Sequence, residues 1–267
     1  MNNLYVVATP IGNIEDLSKR AIKTLETCPT ILCEDTKHSG LLLSKLGIKS
    51  KLISLHKHNE SNKKEWILEI LKEGDVALIS DAGTPTISDP GQELISFLKE
   101  NGVNVIPIPG PSAVITALSA SGLSFKTFTF VGFLEKTEKK IIDTIKDNSH
   151  SDISIYYESP NRINKTLKFI LDNFGDIEVV VARELTKMYE EIIKDKVSNL
   201  VEKEFKGEIV LIVSNKQIIK ETKLATIIKS LKKEGLTDRS IINVIKELEG
   251  FNKNEAYSIL KEEGKDE

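Results

Sequence analysis

Several features that identify common protein classes are missing from this chain of 267 residues. It has no apolar run near the ~18 residues of a membrane span, and its amino end, MNNLYVVATPIGN, has no basic region followed by a cleavable apolar stretch. Its two cysteines, Cys28 and Cys33, have no His or further Cys near enough to complete a metal site. We therefore expect a cytoplasmic protein with reduced thiols, no membrane segment and no bound metal.

A strong positive charge is also missing. The 37 basic residues are outnumbered by 40 acidic ones, which gives a net charge of -3, whereas domains that bind naked nucleic acid by bulk electrostatics are markedly basic. This balance disfavours such a domain but leaves a preformed ribonucleoprotein substrate open. Arginine is scarce, since all but four of the basic residues are lysines; the four are Arg20, Arg162, Arg183 and Arg239. An arginine in such a chain indicates a position where its planar fork is used.

The common motifs for phosphate binding and serine hydrolysis are absent. The chain has no G-x-G-x-x-G after the first apolar run, no G-x-x-x-x-G-K-[ST] and no G-x-S-x-G. No set of Ser, His and Asp stands out by its spacing. An ordinary dinucleotide site, a P-loop and a serine hydrolase are therefore disfavoured.

Short apolar runs alternate regularly with helical patterns in the first part of the chain. The pattern predicts strands at 4–8, 30–33, 51–54, 75–80 and 103–108, and helices at about 15–27, 38–46, 61–73, 90–101 and 111–121. This spacing is typical of a mostly parallel sheet with helices on both faces. The first domain is predicted to span residues 1–115.

From Phe125 the texture changes to an alternating strand, FKTFTFVGF, with outward polar residues. Further along we predict a helix at 136–147, strands at 153–157, 178–183 and 208–214, a helix at 161–173 and an irregular stretch at 184–203. This mixture predicts a second α/β domain, residues 116–217, with some antiparallel pairing.

No strand is expected beyond Lys216. Helical patterns at 223–234, 238–248 and 253–263 are separated by short glycine-containing turns, which predicts a small helical unit over residues 218–267. Residues 223–261 carry eight basic and five acidic residues, a mild basic bias. A helical appendage that packs on its neighbour and a helix-turn-helix that contacts RNA both fit this pattern.

Three turn segments rich in Gly and Pro each follow an apolar run. They are Thr9 to Gly12 after LYVVA, Ser80 to Pro85 after DVALI, and Pro109 to Ala113 after NVIPI. In open α/β sheets small ligands bind at the carboxyl ends of the strands, and small residues let the main chain approach a ligand closely. The sequence therefore predicts a ligand site where these three turns meet.

Two aspartates near the second turn are interpreted differently. Asp81 follows its strand directly, where a carboxylate can accept hydrogen bonds from a ribose diol; the alternative is that Asp81 and Ser80 organise an Asx-type turn. Asp89 precedes Pro90, and we attribute it to capping the helix predicted to begin there.

A second polar cluster, Glu34 to His38, follows the second strand. Adjacent side chains of an extended segment point to opposite faces, so at most one of Glu34 and Asp35 faces the cleft. Asp35 or Thr36 could instead cap the next helix. Lys37 and His38 would then lie in its first turn, facing an anionic substrate.

A third cluster consists of two predicted strand ends, Tyr156 to Arg162 and Ala182 to Lys187. Each contains a Glu and an Arg, which favours phosphate or carboxylate contacts, while Arg–Glu pairing between the segments is the competing interpretation. The stretch His56 to Glu60 has too few ligands for a metal and is interpreted as a polar loop that contacts substrate.

These segments together resemble the small-subunit ribosomal RNA methyltransferase I family, a branch of the tetrapyrrole methylase superfamily. The resemblance is nearly continuous from residue 4 to residue 214. The segments that carry it are TPIGNIEDLSKRA (9–21), EDTKHSGLLL (34–43), HKHNE (56–60), SDAGTPTISDPG (80–91), IPGPSAVITALSASGL (108–123), FVGFL (130–134), YESPNRI (157–163), ARELTKMYEE (182–191) and KGEIVLIV (206–213).

The resemblance implies two α/β domains of tetrapyrrole-methylase type, the first with a mostly parallel and the second with a mixed sheet, plus the C-terminal helical unit. It implies S-adenosylmethionine as methyl donor and, as acceptor, the 2'-hydroxyl of a cytidine in the decoding region of 16S ribosomal RNA, cytidine-1402 in the family's usual naming. The substrate would be the RNA within the 30S subunit, and the enzyme would be a homodimer. The donor-site positions that carry over are Pro10, Ile79, Asp81, Gly83, Thr84, Ser112, Ala113, Tyr157 and Ala182.

The resemblance also has departures. The family usually has Arg at the position of Lys37, His at the position of Asn161, and a more basic, proline-containing segment in place of Glu135 to Glu138. These differences concern RNA contacts and leave the donor site untouched.

Methyl transfer to a ribose hydroxyl calls for a proton acceptor near the hydroxyl. The candidate acceptors are Glu34, Asp35, Glu158 and Glu184, and the candidate RNA-orienting residues are Lys37, His38, Arg162, Arg183 and Lys187. Two alternatives remain: methylation of a tetrapyrrole carbon, which needs no base for a hydroxyl, and a non-catalytic ribosome-binding factor.

Overall fold

The computed structural model describes residues 2–248 and the single positions 254, 257 and 260, except for the side chains at 217 and 220–223. The chain forms two compact units. The first contains residues up to Gly122 together with Ala182–Ile193 and Lys206–Val210, and the second contains Leu123–Val181, Lys194–Phe205 and the residues from Leu211 onward. The division into domains 1–115, 116–217 and 218–267 stays a prediction.

The first sheet has five strands, β1 (Asn3–Val7), β2 (Thr30–Cys33), β3 (Lys51–Ser54), β4 (Val76–Leu78) and β5 (Asn104–Ile108). Its strand order is β3-β2-β4-β1-β5, and every neighbouring pair is parallel. The helices that alternate with these strands are α1 (Lys19–Thr27), α2 (Thr36–Lys45), α3 (Glu60–Glu73), α4 (Gln92–Glu100) and α5 (Ala113–Ser119). The predicted parallel α/β sheet is confirmed.

Both faces of the first sheet are covered by apolar side chains. Val7, Ile31 and Ala77 belong to the core on one face, whereas Leu4 and Leu32 belong to the core on the other. Successive residues of a strand point to opposite faces, so strands buried on both sides appear in the sequence as continuous apolar runs. This burial explains why the strands are recognisable from the sequence.

The first helix begins later than predicted. A 3-10 turn, Ile14–Asp16, is capped by Asn13, whose side chain accepts a hydrogen bond from Glu15 N at 3.0 Å. The Ser18 hydroxyl then accepts a hydrogen bond from Ala21 N at 3.0 Å and begins α1 separately. Two consecutive caps therefore divide a segment whose apolar pattern predicts one helix.

The second sheet is mixed, with the order β6-β7-β10-β8-β9. Its strands are β6 (Phe128–Phe133), β7 (Ile153–Glu158), β8 (Glu178–Arg183), β9 (Glu191–Lys196) and β10 (Ile209–Ser214). The helices are α6 (Glu138–Asp147), α7 (Ile163–Phe174) and the short α8 (Val197–Leu200). Strands β6 and β7 are parallel.

The prediction of an irregular stretch at 184–203 is wrong, because β9 and α8 lie within these residues. Strand β9, EIIKDK, is a charged edge strand, a composition that protects edges from pairing with other chains but hides them from pattern analysis. Two ion pairs connect it to β8: Arg183 with Glu191 at 2.8 Å and Lys194 with Glu178 at 3.3 Å.

The last described elements are helical, as expected. They are α9 (Lys216–Lys233) and α10 (Asp238–Lys246), and they share an apolar core that contains Leu224, Ile228, Ile241 and Leu260. The predicted helix at 253–263 falls outside the described residues except at three positions. None of the helices in the described part is both long and apolar enough to cross a membrane.

Candidate active site at the carboxyl ends of the first sheet

The turns that follow β1 and β4 are joined by main-chain hydrogen bonds. Thr9 N donates to Gly83 O at 2.9 Å, and Gly83 N donates to Thr9 O at 3.1 Å. The buried Thr9 hydroxyl also donates to Ser80 O at 2.9 Å. Because β1 and β4 are adjacent and parallel, their carboxyl ends lie at one edge of the sheet, where these bonds fix the two turns together.

The turn after β5 joins the same edge. The Thr84 hydroxyl donates to Pro111 O at 3.1 Å, and an added Cβ at Gly110 would lie 3.0 Å from the Ala8 Cβ. Such a close approach requires glycine. The structure therefore brings the three predicted turns together.

Two glycines of these turns have no room or no suitable backbone for a side chain. Gly83 has a φ of 82°, in the left-handed region. At Gly12, a Cβ would lie 2.5 Å from Lys187 Cγ, 2.7 Å from Thr186 Oγ1 and 2.9 Å from Leu185 O. The main chain of the first turn thus packs directly against residues 185–187.

The predicted donor-site residues occupy three kinds of position. Those at the shared edge are Pro10, Asp81, Gly83, Thr84, Ser112 and Ala113. The Ser112 hydroxyl also caps α5, because it accepts a hydrogen bond from Ile115 N at 3.5 Å. Ile79 is buried in the core below the edge, and Ala182 is buried in β8. Tyr157 lies in β7 of the second unit.

Asp81 and Asp35 form a short chain of hydrogen bonds at the start of α2. Asp35 N donates to the Asp81 carboxylate at 3.2 Å. The Asp35 carboxylate in turn accepts from Lys37 N at 2.7 Å and His38 N at 3.3 Å, and these two backbone bonds lower the pKa of Asp35. Asp35 is thus the cap of α2, and Asp81 reaches across to the residue that follows Glu34 rather than closing an Asx turn.

The turn after β4 is organised by Ser80. Its hydroxyl donates to Gly83 O at 3.1 Å and lies 3.4 Å from Ala82 O. Lys37 and His38, the predicted RNA contacts of this unit, are exposed in the first turn of α2. The exposed Glu34 immediately precedes Asp35.

The interpretation of Asp89 as the cap of the following helix is wrong. Helix α4 begins at Gln92, and its cap position is Gly91, which has a φ of 123° and therefore separates Pro90 from the helix. The first N–H groups of α4 are bound by the buried Glu60 carboxylate, which accepts from Gly91 N at 3.1 Å and Leu94 N at 2.8 Å. A carboxylate at a helix N-terminus is favourably placed for the helix dipole.

Because Glu60 caps α4, the surroundings of Asp89 need a different explanation. Desolvation raises the pKa of the half-buried Asp89, and the nearby Glu34 and Asp81 carboxylates raise it further, opposed by the neighbouring Ser80 hydroxyl and the charge of Lys57. Raised carboxylate pKa values are typical of groups that exchange protons. Sequence analysis missed Asp89 because the D-P-G pattern is also a helix-start signal, and it missed Glu60 because its partners lie about thirty residues further along the chain.

The two other candidate carboxylates are already engaged. Glu158 is buried, and it accepts hydrogen bonds from the Thr166 hydroxyl and from Ser159 N, each at 2.7 Å, with the Arg162 guanidinium 3.4 Å away. Both of its oxygens therefore have partners inside the second unit. This favours a structural role.

The Glu184 carboxylate also has hydrogen-bond partners. Its carboxylate accepts from Lys187 Nζ at 2.9 Å and from Glu208 N at 3.0 Å, and the Lys187 bond is the largest cause that lowers the pKa of Glu184. Lys187 also pairs with Glu208 at 2.8 Å, and Arg183 pairs with Glu191. The two basic residues predicted to orient RNA here, Arg183 and Lys187, therefore both have carboxylate partners.

No group of His, Cys, Asp and Glu side chains with the arrangement of a metal site occurs among the described residues. Cys28 and Cys33 are free and buried. The site is therefore built from turns, main-chain groups and carboxylates.

This site and its fold define a class of protein. The family model of Tetrapyrrole (Corrin/Porphyrin) Methylases matches residues 3–201. A solved structure, the uroporphyrin-III-C-methyltransferase from Thermus thermophilus, shares the fold with a TM-score of 0.57 over 80% of this chain and 95% of that chain, at 18% identity. The chain has the tetrapyrrole methylase fold.

Relatives of known name show which family of tetrapyrrole methylases the chain belongs to. The chain is 41% identical to ribosomal RNA small subunit methyltransferase I of Pasteurella multocida over 96% of its own length and 97% of that protein. It is 42% identical to the protein of that name from Bacillus subtilis, over 83% of this chain and 78% of the relative. The chain belongs to the ribosomal RNA small subunit methyltransferase I family of tetrapyrrole methylases.

Proposed function

We propose that this protein transfers a methyl group from S-adenosylmethionine to the 2'-hydroxyl of a cytidine in the decoding region of 16S ribosomal RNA. The observation that carries the proposal is the 41% identity, maintained along 96% of the chain, to a protein named for methylation of small-subunit ribosomal RNA. The resemblance of the turn segments to that family supports the finer assignment to the ribose of a cytidine.

The residues at the edge of the first sheet fit the chemistry of the donor. The small residues of the three turns, among them Gly83 and Ala113, let the main chain approach a flat, weakly charged ligand, and the Asp81 carboxylate suits a ribose diol. Pro10, Thr84, Ser112 and Ala113 complete the proposed pocket, with Ile79 and Ala182 of the same unit as further predicted contacts. The assignment of Tyr157 to the donor stays a prediction from the resemblance. Bound S-adenosylmethionine supplies a methyl group activated by a sulfonium.

The residues of the chain contribute chiefly by positioning, because displacement at a methyl carbon requires the acceptor oxygen in line with the leaving group. The hydroxyl proton needs an acceptor. Among the carboxylates, Asp35, Glu158 and Glu184 are occupied by the hydrogen bonds described above. We therefore assign the proton acceptor to Asp89, whose pKa is raised by desolvation and by the nearby Glu34 carboxylate. The exposed Glu34 is the remaining one of the four candidate acceptors predicted from the sequence.

The proposed substrate is the assembled 30S subunit. A net charge of -3 gives little non-specific attraction to free RNA, so recognition relies on shape and on a few cations. Lys37 and His38 are exposed and suited to phosphate contacts, whereas Arg162, Arg183 and Lys187 would have to exchange a carboxylate partner for a phosphate. A cytoplasmic homodimer completes the proposal.

The test is methyl transfer from labelled S-adenosylmethionine to 30S subunits, followed by mass spectrometry of 16S fragments. We expect one added methyl group on the ribose of a single decoding-region cytidine, with 50S subunits as the negative control. Methyl on a base would contradict the ribose assignment, and methyl on a porphyrinoid substrate would contradict the substrate class. Binding to subunits without any transfer would indicate a non-catalytic factor.

A further inference from the structure

Strand β6 ends in a bulge that changes the direction of its last side chain. The parallel pairing of β6 with β7 runs in register from Phe128 to Phe130 and then shifts between Phe130 and Gly132. Gly132 has a φ of 91°, which lies in the left-handed region where a side chain would be strained. Bulges of this kind redirect side chains and are over-represented beside functional sites.

The bulge places two phenylalanines on the same tyrosine. In a regular strand, residues three apart point to opposite faces, yet the rings of Phe130 and Phe133 both contact Tyr157, with centroids 5.0 Å and 5.3 Å away and interplanar angles of 65° and 61°. Both contacts are edge-to-face, a favourable aromatic geometry. Phe133 is therefore supported from one side while remaining 70% exposed.

The chain around Phe133 is unlike the centre of a protein interface. Leu134, the next residue, is buried, and residues 135–140 are exposed and mostly charged. Three lysines, Lys136, Lys139 and Lys140, stand there with two glutamates, Glu135 and Glu138. Interface centres are depleted of charge and contain several apolar side chains together. An exposed ring next to a segment in which lysines outnumber glutamates is instead suited to stacking an unpaired base and contacting its phosphate.

The end of β6 is also fixed in place. The Arg162 guanidinium donates to Leu134 O at 2.9 Å and to Glu135 O, while it pairs with the buried Glu158. Leu134 N donates to Tyr157 O at 3.3 Å. The side chain of Phe133 thus projects from a segment whose backbone is bound on both sides.

From these observations we infer that Phe133 is a stacking platform for an unpaired nucleobase of the RNA substrate. The inference rests on the proposed function, since it names a contact that the RNA substrate makes. It also explains the role of Arg162 and Glu158: their ion pair holds the Arg162 guanidinium against the strand end that carries the ring. The flanking lysines at 136 and 139 would contact the phosphates of the same nucleotides.

Three variants of the full-length protein test the inference. Phe133→Leu removes the ring but keeps an apolar side chain, Phe133→Tyr keeps a ring, and Phe128→Leu makes the same change at the other end of β6, where the ring is 42% exposed and contacts Phe125 instead. Affinity is measured by fluorescence anisotropy with a labelled single-stranded 16S fragment that spans the decoding-region cytidine, and KM is measured with 30S subunits.

We expect Phe133→Leu to bind the RNA fragment about tenfold more weakly, the loss typical of one base–aromatic stack. The KM for 30S subunits should rise by a similar factor with kcat little changed, because stacking contributes to binding throughout the reaction. Phe133→Tyr and Phe128→Leu should behave like the wild type.

Several results would overturn the inference. They are unchanged RNA affinity in Phe133→Leu, equal impairment in Phe133→Tyr, weaker S-adenosylmethionine binding by calorimetry, or loss of a dimer in sedimentation that accounts for the weaker RNA binding. Failure of the proposed function is distinguishable, because wild-type protein would then transfer no methyl to 30S subunits while the RNA affinities could still separate Phe133→Leu from Phe128→Leu. A wild-type protein that binds neither the RNA fragment nor 30S subunits would overturn both.

Discussion

The carboxyl ends of the two sheets are organised by different forces. At the first sheet, the turns after β1, β4 and β5 are joined by main-chain hydrogen bonds and by close contacts that only glycine permits. At the second sheet, the ends of β7 and β8 are organised by side-chain charges, with Glu158 bound to Arg162 and Arg183 bound to Glu191. The same edge of a sheet is thus built once from backbone and once from ion pairs.

The difference indicates which carboxylates are available for chemistry. Charged groups in the second sheet are occupied by one another, so their loss should affect folding before it affects the reaction. At the first sheet, main-chain bonds join the turns; Asp81 accepts one bond, from Asp35 N at 3.2 Å, and the raised pKa of Asp89 comes from desolvation and neighbouring carboxylates rather than from an ion pair. Each prediction below tests this contrast by changing a carboxylate on one side of it.

The largest effect is expected at Asp89. The Asp89→Asn variant keeps the size of the side chain but removes the proton acceptor, so methyl transfer to 30S subunits should fall about 100-fold, the lower end of general-base contributions. The matched control is Asp143→Asn, which changes an exposed aspartate on α6. Unchanged kcat in Asp89→Asn would remove Asp89 from the reaction.

The same variant has a pH-dependent effect on stability. The pKa of Asp89 is raised in the folded state, so ionisation of Asp89 costs folding free energy as the pH rises toward and through that pKa. The neutral amide of the Asp89→Asn variant avoids this cost. The variant should therefore melt at a higher temperature than wild type at pH 8, with the difference shrinking as the pH falls through the raised pKa and vanishing below the ordinary range of aspartate. A difference that stayed constant with pH would contradict this account.

A smaller effect, on stability rather than on chemistry, is expected at Glu158. Glu158→Gln puts an amide where the Thr166 hydroxyl, Ser159 N and Arg162 all donate, and we expect it to lower the free energy of unfolding by about 2 kcal/mol. The loss is limited because the Arg162 side chain is 30% exposed and its charge is partly screened by solvent. Thermal unfolding measures the loss, and the exposed Glu202→Gln is the control. If Glu158→Gln melted like wild type but lost activity, Glu158 would be the proton acceptor after all.

The sequence predicts the first unit well because its signals are local. Strands buried on both faces are continuous apolar runs, and the turns between strand and helix need Gly and Pro at fixed places. The meeting of the three turns follows from parallel pairing alone, since β1 lies between β4 and β5. The cap of α2 at Asp35 was one of the alternatives that the pattern offered.

What the sequence could not provide are partners far apart in the chain. Nothing near Glu60 indicates that it binds the start of α4, and without that knowledge Asp89 is the natural cap. The charged edge strand β9 has no apolar alternation to reveal it. The bulge at Gly132, which directs Phe133 onto Tyr157, depends on the register with β7 and leaves no local pattern beyond a glycine.

The smallest effect is expected at Asp81, where the contrast between architecture and ligand binding is most direct. Asp81→Ala removes a carboxylate that both accepts from Asp35 N and is proposed to bind the donor ribose, so S-adenosylmethionine affinity by calorimetry should fall about tenfold, as for one hydrogen bond to a charged group. Asp35→Ala is the matched control, because it also loosens the start of α2 but removes no proposed donor contact. If the two variants weakened donor binding equally, Asp81 would act only by supporting α2. If only Asp81→Ala weakened donor binding, the Asp81 carboxylate would contact the donor directly, as proposed.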